Sequence, residues 1–240
     1  MRKLSGRLSA LTEMVPEGSA VLDVGCDHAF VPIALVQSGK SPFAVASDIR
    51  TGPLESAKRH ILEADLGEKI AAVLADGVPE NTPQILDSLG RTPATPLTLV
   101  TAGMGGLMML DILKKRPVPR DYFAWYLCSP QRDVPELRKG LAAEGFRIIS
   151  EKMVEEDGKF YPLILSEYSE GELPPLPEEE ALLGPVLMEE NSREFQRYKA
   201  KLIRQTELIL KSLPDHPTEP KTKLQEVLEL LTRNRPNSTL

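Results

Sequence analysis

VLDVGCDHAF, Val21 to Phe30, is an apolar run that reaches an acid-x-Gly turn and then opens into a helical pattern. A strand ending this way brings a glycine turn close to a ligand, and the helix behind it offers free backbone N–H groups. A dinucleotide site would place G-x-G-x-x-G here, so that bare backbone meets the pyrophosphate. Asp27 stands at the second glycine position. A carboxylate there repels pyrophosphate but accepts hydrogen bonds from an ammonium group, such as the methionine end of S-adenosylmethionine. The stretch points to a sulfonium cofactor and away from a nicotinamide one.

Outward from this turn, short β-rich runs alternate with helical patterns. An opening helix is expected from about Leu4 to Val15, and the first strand from Ser19 to Val24, with a helix to about Ser38 after it. Phe43 to Ser47, Lys69 to Leu74, Pro96 to Thr101 and Phe123 to Cys128 read as further strands; Thr51 to Leu66 and Val134 to Glu144 read as helices. This alternation predicts a mostly parallel sheet flanked by helices. Phe146 to Val154 and Lys159 to Glu167 break the rhythm, because Glu155-Glu156-Asp157-Gly158 between them is a hairpin signal. The expected fold is α/β, Rossmann-like, with the sheet finishing in an antiparallel hairpin, as in class I S-adenosylmethionine-dependent methyltransferases.

Acids and glycines recur where the strands end. Asp48, followed by Ile49, closes the second strand at a spacing suited to ribose hydroxyls. Asp76-Gly77 closes the third, where a carboxylate can bond the adenine amine. Ala102-Gly103-Met104-Gly105-Gly106 closes the fourth with small residues that leave room for a sulfonium and an incoming base. With Asp23, Gly25, Cys26, Asp27 and His28, these residues make the expected cofactor site. Each alone is ordinary turn chemistry. Their order along successive strand ends carries the argument.

Hydrophobic residues at 41% and charged residues at 27% of 240 are those of a globular protein with a sizeable core. No apolar run approaches the ~20 residues of a membrane span, and the N-terminus reads as an amphipathic helix and not a signal peptide. Cys26 and Cys128 are far apart, and three histidines show no ligand spacing, so no metal site is expected and a reducing, cytoplasmic setting is. A net charge of −6 speaks against a general polyanion binder, without excluding local basic patches.

Tyr168 to Glu180, YSEGELPPLPEEE, lacks apolar periodicity and reads as a linker. Helical spacing returns over Leu187 to Lys211 and Thr222 to Arg233, with a proline-rich break between them. A C-terminal helical hairpin resembling a short coiled coil is expected. The domain division is 1–167, a linker over 168–181, and 182–240.

The segments LSGRLSAL (Leu4 to Leu11), LDVGCDHAFVP (Leu22 to Pro32), GPLESAK (Gly52 to Lys58), ADGV (Ala75 to Val78), AGMGG (Ala102 to Gly106), EEDGKFY (Glu155 to Tyr161) and LLGPVLM (Leu182 to Met188) resemble the bacterial tRNA (adenine(22)-N1)-methyltransferase family over nearly the whole chain. The resemblance implies methylation of N1 of an adenosine in the D-arm region of tRNA, with S-adenosylmethionine as cofactor and no obligate protein partner. Two departures stand out. Ser129-Pro130-Gln131 replaces a frequent Gln-Pro-Asn, near the point where a target base would enter, and Thr101 replaces a frequent isoleucine.

Adenine N1 has a free lone pair, so the tasks are extracting the base, aligning it and stabilising a cationic product. Asp27 is the candidate catalytic residue, bonding the N6 amine; a helix cap or a hold on the cofactor's amine are its other readings. His28 reads more readily as a turn residue than as a substrate-orienting one. Met104 packs on cofactor or core. Trp125 and Tyr126 read as core, and Tyr161 as a possible stacking platform. Arg2, Lys3 and Arg7 form one basic cluster, and Arg193, Arg197, Lys199, Lys201 and Arg204 a larger one. With tRNA implied, Arg7, Arg193, Arg197, Lys201 and Arg204 are the candidate RNA contacts; the other reading of the larger cluster is a solvated helix face with interspersed glutamates. A methyltransferase acting on another RNA site, a small molecule or a protein is the alternative, followed by a non-enzymatic RNA-binding protein on the same fold.

Overall fold

The computed structural model describes residues 4–214 and 216–233. Arg2 and Lys3 lie outside the described residues. Strands β1 (Ala20–Val24), β2 (Ala44–Asp48), β3 (Ile70–Leu74), β4 (Leu97–Ala102), β5 (Trp125–Ser129), β6 (Phe146–Glu156) and β7 (Lys159–Tyr168) form one sheet in the order β3-β2-β1-β4-β5-β7-β6. The first five run parallel, and β7 enters antiparallel between β5 and β6. The mostly parallel sheet with a terminal antiparallel hairpin is the expected one.

β1 and β2 are buried at every position, which is why they read as unbroken apolar runs and not as alternating ones. Successive side chains still separate onto two faces. Leu22, Val45, Leu99 and Tyr126 join a core with Leu86 of α4 (Thr82–Ser88), Met109 and Leu113 of α5 (Gly106–Lys115), and Leu137 of α6 (Val134–Ala143). Val21, Ala44, Val100 and Leu127 join the opposite core with Leu11 of α1 (Gly6–Met14), Leu35 of α2 (Phe30–Gln37) and Ile61 of α3 (Thr51–Glu63). Tyr126 is buried as expected, while Trp125 is half-buried. The Thr101 hydroxyl lies 2.7 Å from the Tyr126 hydroxyl inside the core. That departure from isoleucine is thus a packing matter, turned away from the strand-end loops.

The β6–β7 turn holds Asp157 and Gly158 at φ +49° and +71°, the left-handed pair of a tight hairpin turn. The C-terminal part differs from the sequence expectation in two places. α7 (Glu178–Leu183) begins inside the stretch read as linker, and the single helix expected from Leu187 is two, α8 (Pro185–Glu190) and α9 (Arg193–Ser212). Asn191 at φ +47° ends α8, and the Ser192 hydroxyl accepts from the Phe195 N–H to start α9. α9 packs with α10 (Glu219–Thr232), and a small third core unites Met153, Leu183, Leu187, Phe195, Ile203 and Leu231.

A buried polar cluster fastens this part to the sheet. Arg138 of α6 and Glu151 of β6 are 1% and 0% exposed and paired at 2.8 Å. Arg138 Nη1 donates to the carbonyls of Ala181 and Leu182, and Glu151 Oε2 accepts from the N–H groups of Val186 and Leu187. Gly184 sits against the pair at φ +96°, where a Cβ would come within 2.6 Å of Glu151 Oε2. Only glycine fits both the backbone and the space.

Candidate active site

The site is built by the loops that leave the carboxyl ends of β1, β2, β4 and β5, where open α/β sheets present ligands. After β1 the chain turns sharply. Gly25 and Cys26 N–H groups both donate to the Ser47 carbonyl of β2, and Asp27 and Ala29 take φ values of +50° and +58°. A left-handed alanine costs on the order of 1 kcal/mol, a strain typical of positions fixed for binding. Gly25, at φ +77°, has Met104 Cε so close that a Cβ would meet it at 2.8 Å. The first and fourth strand-end loops therefore touch.

Asp48 holds the turn from beneath. It is 2% exposed; Oδ2 accepts from the Asp27 N–H at 3.2 Å and Oδ1 from the Arg50 N–H at 2.9 Å. The Asp27 carboxylate itself is 60% exposed, 3.8 Å from Arg50 Nη2 and 3.6 Å from His28 Nε2. Asp23 is buried below the turn. Burial, and then the neighbouring Asp48 charge, push its carboxyl up to about 7. Burial likewise keeps the Cys26 thiol protonated, reinforced by Asp23 and Asp48, so it is a lining group and no nucleophile.

A cleft of about 380 Å³ opens above these groups. Asp23, Gly25, Cys26, Asp27, His28, Ala102 and Gly103 line it, all of them residues expected from the sequence. Asp48 supports that lining. Ile49 projects into solvent, 61% exposed, at the end of β2; Asp76 is exposed at the end of β3, and the Gly77 carbonyl beside it accepts from Ser47 Oγ. These three stand along the neighbouring strand ends, outside the cleft lining. Met104 and Gly105 pack instead of facing the cleft: a Cβ on Gly105 would meet Arg132 Nε at 2.7 Å.

Six lining residues were absent from the expected cofactor site: the apolar Leu8, Phe30 and Val31, and the polar Arg7, Arg50 and Gln131. Arg7, expected to contact RNA, is half-buried in the cleft wall, 4.9 Å over the Tyr161 ring, with a buried Nη1 that finds no partner among the described residues. Arg50 follows the strand-end Asp48 by two residues, a local signal that the sequence reading left unused. Gln131 comes from the Ser129-Pro130-Gln131 departure; it is exposed in the cleft, while Ser129 is buried and its hydroxyl has no partner among the described residues. On α9, Arg193 and Arg204 are exposed. Arg197 is 2.5 Å from Glu155, and Lys201 donates to the Gly158 carbonyl, so both also fasten α9 to the β6–β7 turn. His28 carries a buried Nδ1 with no partner among the described residues and packs against Phe30 and His60. Among the described residues no His, Cys, Asp and Glu group is arranged to hold a metal, and no helix is long and apolar enough to cross a membrane.

A sheet ordered β3-β2-β1-β4-β5-β7-β6 with a strained acid-glycine turn at its centre defines the Rossmann-like methyltransferase class. A family model described as "Methyltransferase domain" matches residues 4–164. The chain is 28% identical over 232 residues to the tRNA (adenine(22)-N(1))-methyltransferase of Bacillus subtilis, covering 95% of this chain and 93% of that protein. The crystal structure of the B. subtilis m1A22 tRNA methyltransferase TrmK superposes with a TM-score of 0.80 at 27% identity, over 96% and 98% of the two chains. A Streptococcus pneumoniae structure, described as a "putative tRNA (m1A22) methyltransferase" in complex with S-adenosyl-L-methionine, gives 0.80 at 28% identity over 96% and 99%. The chain belongs to the TrmK family of methyltransferases.

Proposed function

We propose that this protein transfers a methyl group from S-adenosylmethionine to N1 of the adenosine at position 22 of tRNA, in the cytoplasm. The observation that carries the reading is the convergence of Asp23, Asp27, Gly103 and Arg7 on one cleft at the carboxyl edge of the sheet. The family relatives support the substrate, and the S. pneumoniae complex supports the cofactor.

The residues present fit that cofactor. Arg7 Nη1, without a partner among the described residues, is placed to meet a methionine carboxylate, and Asp23, buried in the cleft lining, is placed to meet an ammonium. Asp48 fixes the turn through two backbone N–H groups, and its remaining lone pairs are those left for ribose hydroxyls. Ile49 offers an apolar face to adenine and Asp76 an acceptor for its amine, with Gly77, Met104 and Gly105 shaping the loops that hold them. S-adenosylmethionine, when bound, supplies an electrophilic methyl group.

The target base becomes cationic, because N1 gives its lone pair and loses no proton. Asp27, exposed at the cleft mouth, accepts a hydrogen bond from the N6 amine and offsets that charge. His28 and Arg50 flank this carboxylate and orient it. Arg193 and Arg204 meet phosphates, while Arg197 and Lys201 combine that task with anchoring α9. Residues 1–167 carry the chemistry and 182–240 the RNA grip.

Incubation of the protein with the cofactor and unmodified tRNA tests this. 1-Methyladenosine should appear in the nucleosides by mass spectrometry, with a reverse-transcription stop at position 22. Cofactor binding without any methylated tRNA nucleoside would move the activity to a small molecule or a protein. No cofactor binding at all would leave an RNA-binding protein on a methyltransferase fold.

A further inference from the structure

A second cavity, of about 420 Å³, lies between the β6–β7 hairpin and α9. Its size falls within the range of about 300–1,000 Å³ common to ligand sites. Gln131 lines both this cavity and the cleft, and Tyr161, which lines the cavity, carries the Arg7 guanidinium of the cleft on its ring. The two spaces therefore adjoin.

The lining has a consistent chemistry. Phe160, Tyr161 and Tyr198 supply aromatic surface, Lys159 and Lys201 supply positive charge, and Gln131 and Gln205 supply amides. Lys201 is held in place by the Gly158 carbonyl and lies 5.3 Å over the Phe160 ring. None of the lining residues is acidic, although the chain as a whole carries a net charge of −6. Aromatic faces beside cations and amides are what a single-stranded nucleotide needs: a platform for the base, a countercharge for the phosphate and partners for the base edge.

We infer that this cavity is a subsite for the nucleotide adjoining the target adenosine, so that the strand is gripped one base away while the target is presented to the cleft. The inference rests on the tRNA reading above. Extraction of a base breaks its stack with a neighbour, and a site that re-stacks the neighbour offsets part of that cost. Tyr161 and Gln131 form the wall between the two bases; Lys159 and Lys201 hold the intervening phosphate.

The test measures kcat/KM of the full chain on an unmodified tRNA transcript with adenosine at position 22, and on transcripts lacking the base at position 21 or at 23. One of the two abasic transcripts should lose about tenfold with the native protein, the size expected of one stacked base, and less than twofold with Tyr161→Leu. Lys159→Ala combined with Gln205→Ala, at the cavity rim, should raise KM for the intact transcript several-fold and leave the Kd for S-adenosylmethionine unchanged. Equal abasic losses in native and variant proteins, or an unchanged KM in the rim variant, would overturn the subsite while methylation itself persists. Absence of 1-methyladenosine from the native reaction on the intact transcript would instead refute the underlying reading, and the subsite with it.

Discussion

The parallel half of the sheet and the C-terminal helices are joined to the molecule in opposite ways. β1 to β5 are covered on both faces by two large apolar cores, and their polar residues gather at the strand ends. The helices after β7 share a much smaller apolar core and are tied at α7 and α8 by a buried ion pair whose spare atoms bond their backbone, with Arg197 and Lys201 adding exposed links from α9. Apolar packing is tolerant and non-directional; a desolvated ion pair fixes one geometry and is costly to break. The chemistry thus sits on a scaffold that accepts variation, and the candidate grip on RNA hangs from a joint that does not.

The largest effect should come from that joint. Arg138→Met leaves the Glu151 charge buried and unmatched, and the loss of stability should be about 3–5 kcal/mol. Adding Glu151→Leu should restore part of it, because the unmatched charge goes while four backbone groups of α7 and α8 stay without their partners. Urea unfolding of the two variants measures both values, and a loss below about 1 kcal/mol for the single variant would mean that the joint is incidental.

At the site, Asp27→Ala should lower kcat about 100-fold, the scale of one lost electrostatic partner, with cofactor affinity much less affected. Calorimetry and single-turnover rates separate the two, and an unchanged rate with intact cofactor binding removes the catalytic role.

A third effect is in the pH profile. The Asp23 carboxyl titrates at about 7 in the folded chain against 3.8 ordinarily. Since the folded value is the higher, the native state holds the extra proton between these limits, and stability falls as pH rises from about 4 to about 7. A cationic ligand favours the ionised form. The Kd for S-adenosylmethionine should therefore drop about tenfold per unit as pH rises towards 7 and then level off. Asp23→Asn should flatten the curve; a native profile already flat between pH 5 and 7 would show that Asp23 does not face the ligand's charge.

The smallest effect belongs to the outer helix. Replacing Arg193 and Arg204 by alanine should weaken tRNA binding evenly and reduce the slope of log affinity against log salt by roughly 1–2. An unaltered slope would reduce them to a solvated helix face.

The strand-end cleft was legible because its signals are local. An apolar run followed by acid-x-Gly specifies strand, turn and helix within ten residues, and topology then brings such turns to one edge. α4, Thr82–Ser88, escaped the sequence reading because seven residues show too little periodicity. The break between α8 and α9 escaped it because the helical spacing was carried from Leu187 to Phe195 across the wholly polar stretch Glu189 to Glu194, where Asn191 and Ser192 stop one helix and cap the next. Arg7 was grouped with Arg2 and Lys3 as a basic cluster for RNA, since nothing near it in sequence reveals Tyr161 beneath its guanidinium. Arg138 and Glu151 were invisible for the same reason. Thirteen residues apart on a helix and a strand, they look like ordinary surface charges until the fold closes over them.

The seat of Gly184 on that ion pair has a consequence for anyone dissecting the molecule. Cutting the chain after β7 would not release an autonomous catalytic fragment. It would strip four backbone partners from Arg138 and Glu151 and open to water a pair now wholly enclosed. Excision of the helices is therefore a wound to the sheet itself, and the two parts should melt as one body.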